Sequence, residues 1–236
     1  MNASKAKQEL KRYANSKKAN FLKGFFKTGK GQYAEGDKLI GVVVPDTRKV
    51  AKLFNDLPLN EIQVLLKSRI HEERLLALII LVDKFKLAAA ADKKKIYNFY
   101  LKNTAYINNW DLVDLSAHYI AGAYLHGKQK KILYKLAKSK HLWERRIAIV
   151  STFEFIKQDE YQDILKIAEL LLKDEQDLIH KAVGWMLREV GKRIDRSVLL
   201  KFLDKHAGEM PRTMLRYSIE HLSPKMRKHY LSLRRR

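Results

Sequence analysis

No proline interrupts the chain between Leu59 and Met210, and that absence restricts the fold more than any other feature. Proline removes a backbone donor and clashes with the preceding turn, so a long stretch without it leaves helices unbroken. Apolar residues in that stretch recur at helical spacing: Leu75, Leu78, Ile79 and Val82; Ile164, Ile167, Ala168 and Leu171; Val198, Leu199 and Phe202. The prolines stand at 45, 58, 211 and 224. Asn60, Asp195 and Ser223 are placed to cap helices, with Pro224 at the first position of the last one. The only β-branched run, Gly41-Val-Val-Val-Pro45, is too isolated to build a sheet, and Pro45 calls for extended backbone before it. An all-α chain is expected.

A weak repeat organises the helices. The tetrads that begin at Arg74, Asp111, Arg145, Lys181 and Arg212 are separated by 37, 34, 36 and 31 residues. Each is expected in a helix that follows another helix. These periods lie near tetratricopeptide and HEAT lengths. The tetratricopeptide pattern of Trp, Leu-Gly and Tyr is missing, so the expectation is a HEAT-like solenoid of stacked helical pairs. Such a solenoid has a concave face that suits a rod such as duplex DNA. We expect a single domain over residues 1–236, ending in a basic tail from about 225 to 236.

Charge narrows the partners. The chain has 48 Lys+Arg and 26 Asp+Glu, a net charge of 48 − 26 = +22. Such an excess favours a polyanion, and nucleic acid gains most from it because each neutralised phosphate releases a condensed counterion. RNA, an anionic membrane surface or simple solubility are left open by charge alone. The charge is unevenly placed: residues 128–146 hold eight bases and one acid, while 154–177 hold eight acids and three lysines. One DNA-facing side and one solvent-facing side are expected. Hydrophobic residues, at 46%, suffice for a core, and no cysteine is present to form a disulfide. The basic N-terminus lacks the apolar stretch of a secretory signal. No apolar run nears the ~18 residues that a membrane span needs. A cytoplasmic monomer is expected, associated with the nucleoid when bound to DNA.

Two motifs mislead. Gly24-Phe-Phe-Lys-Thr-Gly29-Lys30-Gly31 imitates a phosphate-binding loop but ends in glycine where a metal-binding hydroxyl belongs. It also follows a helical segment instead of a strand, so its amides would not be aimed at a phosphate. The eight histidines are scattered without an H-x-x-x-H pair, so no metal and no cofactor are expected. Most of the histidines are expected at the surface or on the DNA side.

The tryptophans carry more. Trp110 and Asp114 are four residues apart and share a helix face, as do Trp143 with Arg146 and Trp185 with Arg188, three apart. By itself, each pattern also fits a core aromatic beside a solvated charge. Asn109-Trp110-Asp-Leu-Val-Asp114, Leu142-Trp143-Glu-Arg-Arg146-Ile and Lys181-Ala-Val-Gly-Trp185-Met-Leu-Arg-Glu189 resemble the AlkD-type DNA alkylation-repair glycosylases. Phe25-Phe26 through Tyr33 to Asp37, Gly41 to Pro45 with Arg48, and Pro211 to Tyr217 are similar to the same family. The resemblance runs from about residue 19 to 221, in order and at the right spacings.

That resemblance implies a HEAT-like glycosylase that excises cationic alkylated purines such as 3-methyladenine and 7-methylguanine from double-stranded DNA. It implies Asp114 as the catalytic carboxylate, Trp110 and Trp185 as aromatic walls beside the lesion's deoxyribose, and Arg146 as a phosphate contact. Phe25 falls near a position where some relatives have tyrosine, so only a ring contact with DNA is expected there. Lys128, Lys130 and Lys131 are expected on the DNA backbone, Trp143 in the packing between repeats, and Arg188 in a structural pair with an acid. The chemistry is coherent on its own terms. A cationic purine leaves without a general acid, and one carboxylate can stabilise the positive charge that grows on the sugar. Aromatic faces add cation–π attraction of roughly 0.5–2 kcal/mol each. The alternative from another class is a nucleic-acid-binding repeat protein without catalysis, and a protein scaffold comes third.

Overall fold

A computed structural model describes residues 1–233, so the arginines that end the expected basic tail lie outside the described residues. The fold is all-α and built from a helical repeat, with no strand among the described residues. The nearest approach to one is an isolated bridge between Lys38 and Ile70. No described helix is long and apolar enough to cross a membrane. The chain divides into two compact units, residues 1–120 and 121–236.

In the first unit, α1 (Ala3–Lys11), α2 (Ser16–Phe25), α3 (Val44–Leu53) and α4 (Leu59–Leu66) precede α5 (His71–Leu87), followed by α6 (Ala90–Lys102) and α7 (Trp110–Asp114). α5 is the hub, touched by α3, α4, α6 and α7. Every residue from Leu75 to Val82 is buried, so this helix is apolar all round and packed on all sides. Its first turn, His71-Glu72-Glu73-Arg74, is buried as well. Charges buried there require partners, and each has one. Glu72 accepts the amides of Ile40 and Gly41, at 3.1 and 2.7 Å, which ties down the valine-rich loop. Glu73 meets Lys7 at 2.9 Å. Two acids at a helix N-terminus also sit favourably in its dipole.

The second unit begins within a π-helical turn, His118–Gly122. It holds α8 (Ala123–Leu125), α9 (Lys131–Ala137), α10 (Leu142–Ser151), α11 (Phe153–Ile156), α12 (Gln162–Leu170), α13 (Asp177–Arg193), α14 (Arg196–His206), α15 (Arg212–Ser218) and α16 (Pro224–Ser232). α13 is its hub, in contact with α10, α11, α12, α14 and α15. Gly184 makes the α13–α15 contact close. A methyl group there would stand 2.5 Å from the Met214 carbonyl oxygen. The tetrads that start at Arg74, Asp111, Arg145, Lys181 and Arg212 lie in α5, α7, α10, α13 and α15. The sequence repeat is thus a repeat of helices.

Two boundaries differ from expectation. Asn60 is not a cap: Pro58 caps α4, with its carbonyl accepting from Glu61 and Ile62, both at 3.0 Å. Proline's extended ψ of 158° starts the helix earlier than a side-chain cap at Asn60 would. The extended residue before Pro45 is Val43, since Val44 is already helical and Pro45 occupies the first turn of α3. Asp195 and Ser223 do cap α14 and α16, accepting from Ser197 and Met226. Much of the expected tail is therefore helix, to Ser232.

Candidate functional site

The first unit assembles one group of functional side chains around α7. This helix is only five residues long, too short to hold itself in water, so it is pinned from outside. Asn109, fully buried, accepts the Trp110 amide at 2.8 Å. Asp111 accepts the Leu112 amide with one oxygen at 2.9 Å and contacts His71 Nε2 with the other at 2.8 Å. His71 Nδ1 lies 3.6 Å from Asp37, and the same Asp37 oxygen takes a 2.5 Å bond from Arg74. Arg74 also donates to the Ser68 carbonyl at 2.9 Å. Two acids and two bases thus form a compact, balanced and mostly buried set behind α7.

Burial opposes a charge on His71, but Asp111 and Asp37 outweigh it and, against Arg74, raise its pKa to about 9. The imidazolium form is the one that binds both carboxylates. Arg74 and Asp111 each begin a tetrad of the repeat, whereas His71 and Asp37 have no signal in the periodicity.

Trp110 is half-buried, and its ring is held in place. Its Nε1 donates to the Tyr33 hydroxyl at 3.2 Å. One side packs on Phe26 with centroids 5.5 Å apart, and Phe25 meets it edge-on at 5.5 Å. Phe26 joins Ala19 and Leu39 in a small core cluster against which Trp110 and Leu22 rest. Asp114 ends α7 one turn later and is half-exposed. A carboxylate at the negative end of a helix makes the local field more negative. The effect reaches Tyr100, whose hydroxyl burial pushes well above the usual range, with Ser116 opposing and the Asp114 charge adding. Phe25 is 51% exposed.

The imitation phosphate loop is closed off. Gly29 N–H donates to Gln32 at 3.0 Å and Gly31 N–H to the Glu35 carboxylate at 2.8 Å. An amide already bonded to a carboxylate does not await a phosphate.

In the second unit, Trp185 is half-buried and its ring lies 5.8 Å from that of Phe153. Lys157 and Arg193 cover Phe153 at 5.4 and 5.2 Å. Phe153 had no motif to announce it. Arg146 is buried, and donates to the Leu178 carbonyl at 2.5 Å. Trp143 is buried, and Arg188 pairs with Glu189 and Glu220. Lys131 is exposed at the start of α9. Lys128 donates to the Tyr124 carbonyl at 2.7 Å and lies 3.9 Å from that ring's centroid.

Lys130 differs from its neighbours. Its ammonium meets Glu160 at 2.8 Å and Asp163 at 3.4 Å, and Arg145 meets Asp174 at 2.6 Å. The basic segment 128–146 and the acidic segment 154–177 are therefore joined by ion pairs at these points. Opposite charges carried on adjacent helices find each other once the helices pack. Of the eight histidines, His71, His118 and His206 are buried and the other five are not, in keeping with the expectation for most of them.

A fold of this kind, all helix and repeating, is a scaffold whose function rests on the side chains it presents. The family model for DNA alkylation repair enzymes matches residues 6–222, and the chain belongs to that family. A solved structure described as a predicted DNA alkylation repair enzyme from Enterococcus faecalis is similar, with a TM-score of 0.71. It is 16% identical, and the match covers 89% of this chain and 97% of that one. No curated protein matches the sequence.

Proposed function

We propose that this member of the DNA alkylation repair enzymes is a monofunctional DNA glycosylase that releases cationic alkylated purines from duplex DNA. The observation that carries the proposal is the pairing of Asp114 with Trp110 on one short helix, with the ring buttressed by Tyr33 and Phe26 and the carboxylate half-exposed. A negative group beside a fixed aromatic face suits a sugar that becomes positive in the transition state. As the C1′–N bond breaks, its electron pair leaves with the purine and discharges the purine's positive charge. Water adds to C1′, and its proton passes to solvent by way of the Asp114 carboxylate. No acid is needed for the leaving group and no metal or cofactor enters the scheme.

Trp185 serves in this proposal as a second aromatic wall, Arg146 as a phosphate contact and Phe25 as a ring contact. Lys128 and Lys131 contact the DNA backbone. Lys130 contributes less, because Glu160 and Asp163 already balance its charge. The chain serves as one HEAT-like DNA-binding domain, and the protein works as a monomer in the cytoplasm.

Base release from N-methylated duplex DNA, with wild type beside Asp114→Asn, tests the proposal. The expected result is release by wild type alone, with equal DNA binding by both. Release by wild type no faster than the spontaneous rate would instead support a DNA-binding protein without catalysis.

A further inference from the structure

Two phenylalanines of α2 stand in water. Phe21 is 73% exposed and Phe25 51%. Single exposed apolar side chains are ordinary, but these two lie four residues apart on one helix face. Their rings are nearly parallel, at 15°, with centroids 6.4 Å apart. The row continues inward, because Phe25 meets both Phe26 and Trp110, at 5.1 and 5.5 Å. The inner end of the row is packed in the small cluster with Ala19 and Leu39. The outer end is bare, so Phe21 adds almost nothing to folding through burial.

Cations surround the bare end. Lys17 and Lys18 precede Phe21 by four and three positions and fall on its side of the helix. Lys23, Lys27 and Lys30 follow in the helix and the loop after it. None of these five forms an ion pair among the described residues, and Lys23 only donates to Asn20 at 3.2 Å. Of the two acids in that loop, Glu35 is bonded to the Gly31 amide and Asp37 to Arg74. Unpaired cations around exposed ring faces complement a polyanion that carries flat apolar faces of its own, which is the chemistry of an unstacked nucleic-acid strand.

We propose that Phe21 and Phe25 form a stacking platform for a nucleobase of DNA that has left its stack, with Lys17 and Lys18 on the flanking phosphates. The platform continues the ring of Trp110 outward, on the same unit as Asp114. It rests on the function proposed above for the identity of the polymer, DNA, and not for the chemistry at Asp114.

The test uses the full chain and two short duplexes that carry 2-aminopurine, one fully paired and one with the probe opposite an abasic analogue. The second lets the base swing out. Wild type should prefer the second duplex by roughly tenfold, since one base–aromatic stack has about that effect on affinity. Phe21→Ala should abolish the preference while the salt dependence and the melting temperature stay unchanged, and Phe21→Trp should retain it. Lys17→Ala should lower the log–log salt slope by about one and keep the preference. The proposal is overturned if Phe21→Ala keeps the preference or lowers the melting temperature. It is equally overturned if that variant loses binding to phosphatidylserine vesicles while its DNA binding is intact. Base release is scored separately: a wild type that shows the preference but releases no base refutes the glycosylase proposal alone. Asp114-dependent release without a Phe21-dependent preference refutes the platform alone.

Discussion

The imidazole of His71 and the carboxylate of Asp111 meet at 2.8 Å, although they are 40 positions apart in the chain. One stands in the first turn of the hub α5 and the other in the first turn of α7, which carries Trp110 and Asp114. The contact is thus a strut that fixes the short helix to the core, and its strength depends on a proton.

Stability should fall as pH rises from about 6.5 to about 9. His71 is raised from 6.5 to about 9 in the folded chain. A raised base contributes fully below its unfolded value and loses that contribution as pH passes its folded value. The loss should be on the order of 3 kcal/mol. Urea denaturation at a series of pH values measures it, and His71→Gln should flatten the slope. A wild-type stability that is level across this range would remove the proton from the strut.

Arg74→Met should destabilise the protein by about 3–5 kcal/mol, because it strands Asp37 in the interior beside a single base. The Asp37 side chain is 8% exposed and takes a 2.5 Å bond from Arg74. Chemical denaturation reads the change directly. A loss below about 1 kcal/mol would mean that water replaces the guanidinium.

Tyr33→Phe removes the oxygen that accepts from the Trp110 indole, at 3.2 Å. The cost in stability should be about 1 kcal/mol. If Trp110 lines the reaction site, base release should fall further than DNA binding, since the ring is no longer held. Equal losses in both would reduce Tyr33 to a folding role.

Gly184→Ala should also destabilise, even though alanine favours helix by about 1 kcal/mol over glycine. The new methyl group would lie 2.5 Å from both the Met214 carbonyl oxygen and Tyr217 Cβ. Separating α13 from α15 to relieve this should cost about 1–3 kcal/mol net. A variant with a higher melting temperature than wild type would refute the close contact.

Arg146→Ala should make the salt dependence of DNA binding shallower by about one unit if its guanidinium holds a phosphate. Because Arg146 is buried and bonded to the Leu178 carbonyl, stability should fall too. An unchanged slope at reduced stability would assign it to folding alone.

Much of the fold was legible in the sequence because helices are written locally. The period of Leu75, Leu78, Ile79 and Val82 identifies the buried hub, and the spacing of five tetrads finds α5, α7, α10, α13 and α15. Asp195 and Ser223 act on their own helices, so their capping role was visible. The cap of α4 was misplaced because Asn60 and Pro58 are both acceptable starts, and proline's fixed backbone decided between them. Of the candidate site, the shared face of Trp110 and Asp114 follows from their spacing alone.

By itself, then, the sequence determined an all-helical repeat, a strongly cationic chain, and a carboxylate one turn from an aromatic ring. Only the tertiary structure decided what holds that turn in place. His71 joins Asp111, Arg74 joins Asp37, and Trp110 donates to Tyr33, over separations of 40, 37 and 77 residues. Packing likewise neutralised Lys130 against Glu160, 30 residues away. The physical reason is one of range. Backbone hydrogen bonds and side-chain periodicity act within a few residues, whereas a buried charge takes whichever partner the packed helices bring to it.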